Sequence, residues 1–385
     1  MLFKNARIFV GKGKTGFLEN GFIFFEDGII KAVGEMKNCK KEYSKDGEKN
    51  FLGYSIYPGF IDSHTHLGMW ETGIGFEGDD GNEETDPITS NFRAIDSINP
   101  KDKAFFCALK AGITTVISGP GSSNPIGGSF VALKTVGECV DDMIIKNPVG
   151  MKFALGENPK TAYNEKEMTP TTRMGTVALI REQLKKAKLY SQKLKKEKHD
   201  LEYEAKLEAL IPVLKRKVKA LFHCHRMDDI FTAIRISKEF NLDYVLIHAT
   251  EAHLINKDLK GVNLVLGPTI SDISKIELKN FSEKSAYILS KKKANISICT
   301  DAPVIPVQYL NISCAVAIKN GFSKKEAIFA ITKNPAVMFK IEHMVGSIEA
   351  KKFANFAIFK NEEDIFSIYS EPSFVVVEGK IVFKV

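Results

Sequence analysis

The sequence predicts an α/β protein: a (β/α)8 barrel of the TIM type, with distortion allowed, beside a small β-sandwich domain built from both chain ends. Three observations predict it. The 385 residues exceed the about 250 needed for one barrel and leave room for a second unit. Through the middle of the chain, apolar β-rich runs alternate with helical segments, as a parallel sheet with crossover helices requires. At both ends the pattern changes to short strands joined by tight turns.

The end pattern assigns residues 1–55 together with 345–385 to a composite β domain, and 56–344 to the barrel. Strand-like text covers 6–10, 22–26 and 29–33, with Asp27-Gly28 in a hairpin-turn position, and resumes at 353–359, 374–378 and 381–385, the last two joined by Gly379-Lys380. Barrel strands are expected at 55–61, 114–118, 149–155, 220–222, 244–247, 263–266 and 296–299. That is one short of closure, so either a further strand lies near 143–146 or the barrel is incomplete. Helices are expected at 101–111, 172–191, 200–217, 228–240 and 324–339.

Composition bounds the function. Hydrophobic residues at 44% and charged residues at 26% are ordinary for a globular chain. The net charge of +7 comes largely from lysines between Gln183 and Lys219, among them Lys185, Lys186, Lys188, Lys193, Lys195, Lys196 and Lys198. Ala178, Leu179, Leu184, Ala187 and Leu194 recur among them at helical spacing, so the run reads as a solvated helical face, not a nucleic-acid surface. The six cysteines form no CxxC pair and no secretory segment opens the chain, which points to reduced thiols in the cytoplasm. No apolar run approaches the roughly 18 residues that span a bilayer. The expected partner is a small-molecule substrate, with no nucleic acid and no membrane.

Six of the eight histidines fall in pairs or at strand exits: His64 and His66, His223 and His225, His248 and His253. Alternation along a strand puts His64 and His66 on one face, which in a barrel lines the C-terminal mouth. Glu157 follows the run ending at Leu155, His223 follows Phe222, His248 follows Ile247, and Asp301 follows Thr300. Each is a metal-ligand or acid/base type facing the same mouth. Burying so many polar groups together is unfavourable unless a divalent ion neutralises and coordinates them.

The order HxH, carboxylate, His, His, Asp resembles the amidohydrolase superfamily, and more closely the group related to imidazolonepropionases and N-acetylglucosamine-6-phosphate deacetylases. The likeness extends to Tyr57-Pro58-Gly59-Phe60-Ile61-Asp62, Ala111-Gly112-Ile113-Thr114-Thr115, Thr332-Lys333-Asn334-Pro335-Ala336 and the return through Gly346-Ser347-Ile348-Glu349-Ala350-Lys351 with Ala354-Asn355-Phe356. It implies a hydrolytic water activated by one or two divalent ions, zinc first, with manganese, cobalt or iron as alternatives. His64 and His66 would hold the first ion, Glu157 would ligate or bridge, His223 and His248 would hold the second, and Asp301 would transfer the proton. Many relatives bridge their metals with a carboxylated lysine. Lys152 is that alternative here, set behind Glu157 because it falls early in its strand.

The resemblance leaves His223 and His225 both open as ligands. His225 and Arg226 read as substrate contacts, as do Glu251 and His253, although the start of a helix explains the last two equally well. The loop 67–92, with Glu71, Glu77, Asp79, Asp80, Glu83, Glu84 and Asp86, either is solvated or selects a cationic substrate. The glycine-rich stretch 119–129 could offer backbone N–H groups to an anion, although glycine-rich βα loops are common and this one lacks the P-loop pattern. The leading activity is hydrolysis of a C–N bond in an amide or cyclic amide. Deacetylation of an N-acetylated sugar or amino acid is the second, and a catalytically silent scaffold the third. Similar proteins are often dimers or larger, so a homo-oligomer is an open expectation.

Overall fold

The computed structural model describes residues 1–45, 47–73, 75–196, 202–255 and 259–385. Two eight-stranded sheets organise it.

The first sheet unites the chain ends. The strand Tyr54–Pro58 pairs in parallel with Leu2–Lys12 on one side and antiparallel with Phe356–Lys360 on the other. The hairpins Gly16–Glu26/Ile29–Glu35 and Phe374–Val377/Lys380–Lys384 extend it outward. The terminal strands therefore lie in one hydrogen-bonded sheet, within which the expected strand 55–61 divides: its first half stays here and its second half opens the barrel.

The barrel strands are Phe60–Thr65, Ile113–Ser118, Ile126–Lys134, Ile144–Ala154, Lys219–Cys224, Tyr244–His248, Asn263–Leu266 and Asn295–Ile298, adjacent in that order. The eighth strand missing from the sequence pattern is Ile126–Lys134, not a segment near 143–146, which begins the next strand. Gly127 and Gly128 make its start read as a loop, yet Ile126, Phe130, Val131, Ala132 and Leu133 are wholly buried. It runs antiparallel to both neighbours, so strict βα alternation is broken here and the TIM-like barrel is distorted.

The barrel is nearly closed. No ladder joins the first and eighth strands among the described residues, but a seam of other bonds does. Ser63 Oγ donates to Ile298 O at 3.1 Å, the amide of Asp301 to His64 O at 3.1 Å, and that of His66 to Ala302 O at 2.8 Å. Asp62, wholly buried, accepts from the Thr300 hydroxyl at 2.6 Å and the Thr300 amide at 3.3 Å.

Ile61, Ile117, Phe130, Leu221, Val245, Ile247, Val265 and Cys299 fill the barrel interior, and the metal-ligand residues sit on top of this plug. A larger core lies between strands and helices and takes in Phe9, Tyr57, Ala357 and Phe359 from the terminal sheet. The lysine-rich helix Arg173–Lys196 packs through Ile180, Leu184 and Ala187, while Ala178 of the expected stripe is exposed. Lys198, His199 and the start of the helix expected at 200–217 lie outside the described residues; the remainder of that helix is two single turns, Ala205–Glu208 and Ile211–Leu214. The helix expected at 324–339 is broken between Lys324–Ala330 and Lys333–Met338. All six cysteines are free, and no helix is long and apolar enough to cross a membrane.

Candidate metal centre

The strand exits bring two groups of potential ligands together at the mouth: His64, His66 and Asp301, and His223, His225 and His248, with ligand atoms inside each group within 4.8 Å of one another. Asp301 links them. Its Oδ1 lies 3.5 Å from His64 Nε2 and 3.3 Å from His66 Nε2, and its Oδ2 lies 4.0 Å from His248 Nε2. The backbone is bent to achieve this, since His248, Ala249 and Asp301 take φ of 67°, 44° and 57°. Side chains other than glycine adopt that region at a cost, and such strain gathers where function holds it.

Hydrogen bonds behind the imidazoles set their direction. His66 Nδ1 lies 2.6 Å from Gly119 O and His248 Nδ1 2.6 Å from Gly267 O. A carbonyl only accepts, so each Nδ1 carries the proton and each Nε2 presents a lone pair inward. Gly267 can offer its carbonyl because its φ is 143°, and an added Cβ would lie 2.3 Å from Cys299 O. His225 Nδ1 pairs with the Thr250 hydroxyl at 2.8 Å.

Burial holds His64, His223 and His225 well below the usual imidazole range and pushes His248 down to about 4, so all four are neutral at pH 7. For Asp301, burial raises the value, but His248, His66 and Lys152 outweigh it and hold the carboxyl below its ordinary range. Neutral imidazoles and an ionised carboxylate thus face one another. Among the described residues, Asp301 Oδ1, His64 Nδ1 and His223 Nδ1 are buried without a hydrogen-bond partner. Asp301 Oδ1, unpartnered and facing His64 Nε2 and His66 Nε2 in a buried space, favours a cation among them, and this set of atoms fits a divalent ion of the zinc type.

Lys152 reaches this centre. The register opposes it to Leu221, an interior residue, so its side chain enters the barrel and its long stem carries Nζ to 3.2 Å from His64 Nε2. The expectation that it falls too early in its strand is corrected on that geometry. Burial pushes its pKa down to about 8. Glu157, expected to ligate or bridge, joins neither group. The chain turns out of the barrel at Gly156, and Glu157 begins the helix Glu157–Asn164 on the cavity wall.

The remaining expected contacts divide. His225 stands among the candidate ligands. Arg226 pairs with Asp228 at 2.8 and 3.0 Å ahead of the helix Met227–Glu239. Glu251 accepts from the Met227 amide and from Asn280, each at 2.7 Å, and His253 lies against Thr250 O and the Ser285 hydroxyl. These three brace the loops and lie outside the cavity lining. The cavity, of about 680 Å³, is lined by the metal-centre residues with Trp70, Asn158, Lys275 and Phe281 among others. Of the acidic residues of the loop 67–92 only Glu84 reaches it, tied to Lys166 at 2.7 Å; from the glycine-rich stretch Gly121, Ser122 and Ser123 do.

Sequence reasoning missed Asp62, Trp70, Asn158 and Lys275. Trp70 abuts His66 with ring centroids 4.8 Å apart, and being the one tryptophan of the chain, five positions past the end of the strand Phe60–Thr65, it carried some signal. Asn158 and Lys275 carried none.

Histidines and a carboxylate thus converge on the C-terminal mouth of the barrel in an arrangement that could hold a divalent metal. The chain belongs to the amidohydrolase family, whose profile matches residues 55–382. It is similar to the crystal structure of an amidohydrolase from Thermotoga maritima MSB8, with 36% identity and a TM-score of 0.93 over 100% of this chain and 99% of that one. It is 25% identical to the amidohydrolase tasK of Hapsidospora irregularis over 99% of this chain but only 43% of the relative, so it spans less than half of that protein. The imidazolonepropionase of Syntrophobacter fumaroxidans is 36% identical over a shorter stretch, 17% of this chain and 19% of that protein. A Xaa-Pro dipeptidase shares the fold at 18% identity with a TM-score of 0.60.

Proposed function

We propose that the protein hydrolyses a C–N bond of an amide or cyclic amide by a metal-activated water. The observation that carries this reading is the convergence of inward Nε2 lone pairs and the Asp301 carboxylate on one buried point beneath an open cavity. His64 and His66 would hold a first ion, and His248 with His223 or His225 a second. A bound divalent ion lowers the pKa of water from near 16 to about 7 and polarises a carbonyl. Asp301 is the acid/base: it accepts the proton of the attacking water and returns it to the leaving nitrogen. Lys152 is favoured over Glu157 as the bridge, because its Nζ is at the centre; carbamate formation would join Nζ to carbon dioxide with release of a proton.

The N-acetyl-sugar form of the deacetylase alternative drew on a glutamate at the Glu157 position, and Glu157 stands apart from both ligand groups, which weakens it. A test is to load the protein with zinc, manganese or cobalt, measure bound metal, and screen N-acyl amino acids, dipeptides, lactams and N-acetyl sugars. One to two equivalents of metal and turnover of an amide or lactam are expected. Protein that takes up no metal, or cleaves only N-acetyl sugars, would overturn the reading.

A further inference from the structure

Among the described residues the cavity wall carries two lysines, Lys152 in the metal centre and Lys275 outside it. Lys275 Nζ donates to Asn158 Oδ1 at 3.0 Å, and Asn158 Nδ2 lies 2.7 Å from Ser122 Oγ and 3.4 Å from His223 Nε2. The cation therefore stands two contacts from a candidate metal ligand. An ammonium has three donors. Asn158 takes one; the Glu277 carboxylate, at 3.9 Å, is too far for a hydrogen bond. The side chain is 27% exposed, open toward the cavity.

The position of Lys275 is braced from behind. Glu277, two residues on and wholly buried, accepts from the Glu157 amide at 2.7 Å and from Arg173 at 2.8 Å, and Arg173 also grips Asp229 at 3.0 Å. Gly156 packs so closely there that an added Cβ would lie 2.4 Å from Glu277 Oε1. The Lys275 segment and the Gly156–Asn158 turn are thus clamped together beside the metal centre. A fixed cation facing the cavity, with donors to spare and no task at the metals, is suited to grip an anionic part of the molecule being cleaved.

We propose that Lys275, oriented by Asn158, receives a carboxylate of the substrate, so that the amide cleaved belongs to a carboxylic acid such as an N-acyl amino acid, a dipeptide or a lactam acid. The proposal rests on the amide-hydrolase reading for the bond that breaks. Glu157 and Glu165 line the same cavity, so a single carboxylate placed on Lys275 is accommodated and a polyanion is not.

The test uses matched pairs of N-acetyl amino acids, dipeptides and lactam acids, each as the free acid and as the neutral alcohol in which CH2OH replaces the carboxylate. The metal-loaded wild type is expected to prefer the acids by about ten- to a hundredfold in kcat/KM, the usual worth of a charged hydrogen-bond pair. Lys275→Met should erase the preference through KM, and Lys275→Arg should restore much of it. Equal rates on acid and alcohol, or a preference that survives Lys275→Met, would overturn the role of Lys275 and leave amide hydrolysis standing. If no amide in the panel is cleaved, it is the amide reading that fails, and thermal shifts with the same pairs still read Lys275. The acid must then raise the Tm of the wild type more than the alcohol does, and lose that advantage in Lys275→Met; an equal shift or none overturns the assignment.

Discussion

Asp301 lies against three imidazoles with its carboxyl held below the ordinary range, which makes it the residue whose removal separates chemistry from binding. Asp301→Asn preserves the shape and removes the base, so kcat is expected to fall by about 10² to 10⁴ while the other ligands retain metal. A variant with metal bound and near wild-type turnover would exclude the role. Lys152 and Glu157 offer a second contrast. Lys152→Met is expected to lose bound metal and Glu157→Gln to keep it, as read by elemental analysis of protein purified without chelator; the reverse result would return the bridge to Glu157. His64, His66, His223, His248 and Asp301 were readable because each follows an apolar run whose end marks a barrel mouth. Lys152 was a weighed alternative set aside on position along the strand, where the length of a lysine stem was the quantity that mattered. Lys275 and Asn158 could not be read, because their importance lies in meeting each other across 117 residues of chain.

At the scale of elements, the seam between the first and eighth strands is held by side chains and bent backbone, with Asp62 at its centre. Burial pushes the Asp62 carboxyl up to about 7 against the pull of its Thr300 and His64 hydrogen bonds, so losing a donor there is costly. Thr300→Val keeps the volume, removes the 2.6 Å bond to Asp62, and is expected to destabilise the fold by about 1–3 kcal/mol, measured by denaturant unfolding. An unchanged midpoint would show that the seam does not depend on this bond. The seam was invisible in the sequence because Asp62 and Thr300 are 238 positions apart. The third barrel strand was hidden for another reason, since Gly127-Gly128 at its start carry the chemistry of a turn. The parallel strands 244–247 and 263–266 were plain, being apolar, β-branched and bounded by polar residues.

Over the whole molecule, the terminal sheet and the barrel share one core. Phe9, Tyr57, Ala357 and Phe359 pack with Phe60, Phe105 and Ile113, and Val375 and Val377 pack on Leu109. Burial that continuous couples the two units, so calorimetry is expected to show one unfolding transition; two separated transitions would contradict the shared core. Removing metal with a chelator should lower that single Tm, because lone pairs and a carboxylate would then face each other without a cation, and an unmoved Tm would count against the metal centre. Asp27-Gly28 and Gly379-Lys380, two hairpin turns of like style, mark paired strands at both ends of the sequence. Their union in one sheet was not legible there, because strand order depends on which edges meet in space.

The seam has a consequence for the order of events when the chain is made. Two of the ligands beside it, His64 and His66, emerge from the ribosome early, while Asp301 emerges after more than three quarters of the chain. Until the eighth strand docks, the early pair has no carboxylate across from it and the neighbouring edge stays open to solvent. An ion captured by His64 and His66 at that stage would be held loosely and exchange freely with its surroundings. Arrival of Asp301 would fasten the last edge, so a metal site built on this group would be complete only when synthesis is nearly over.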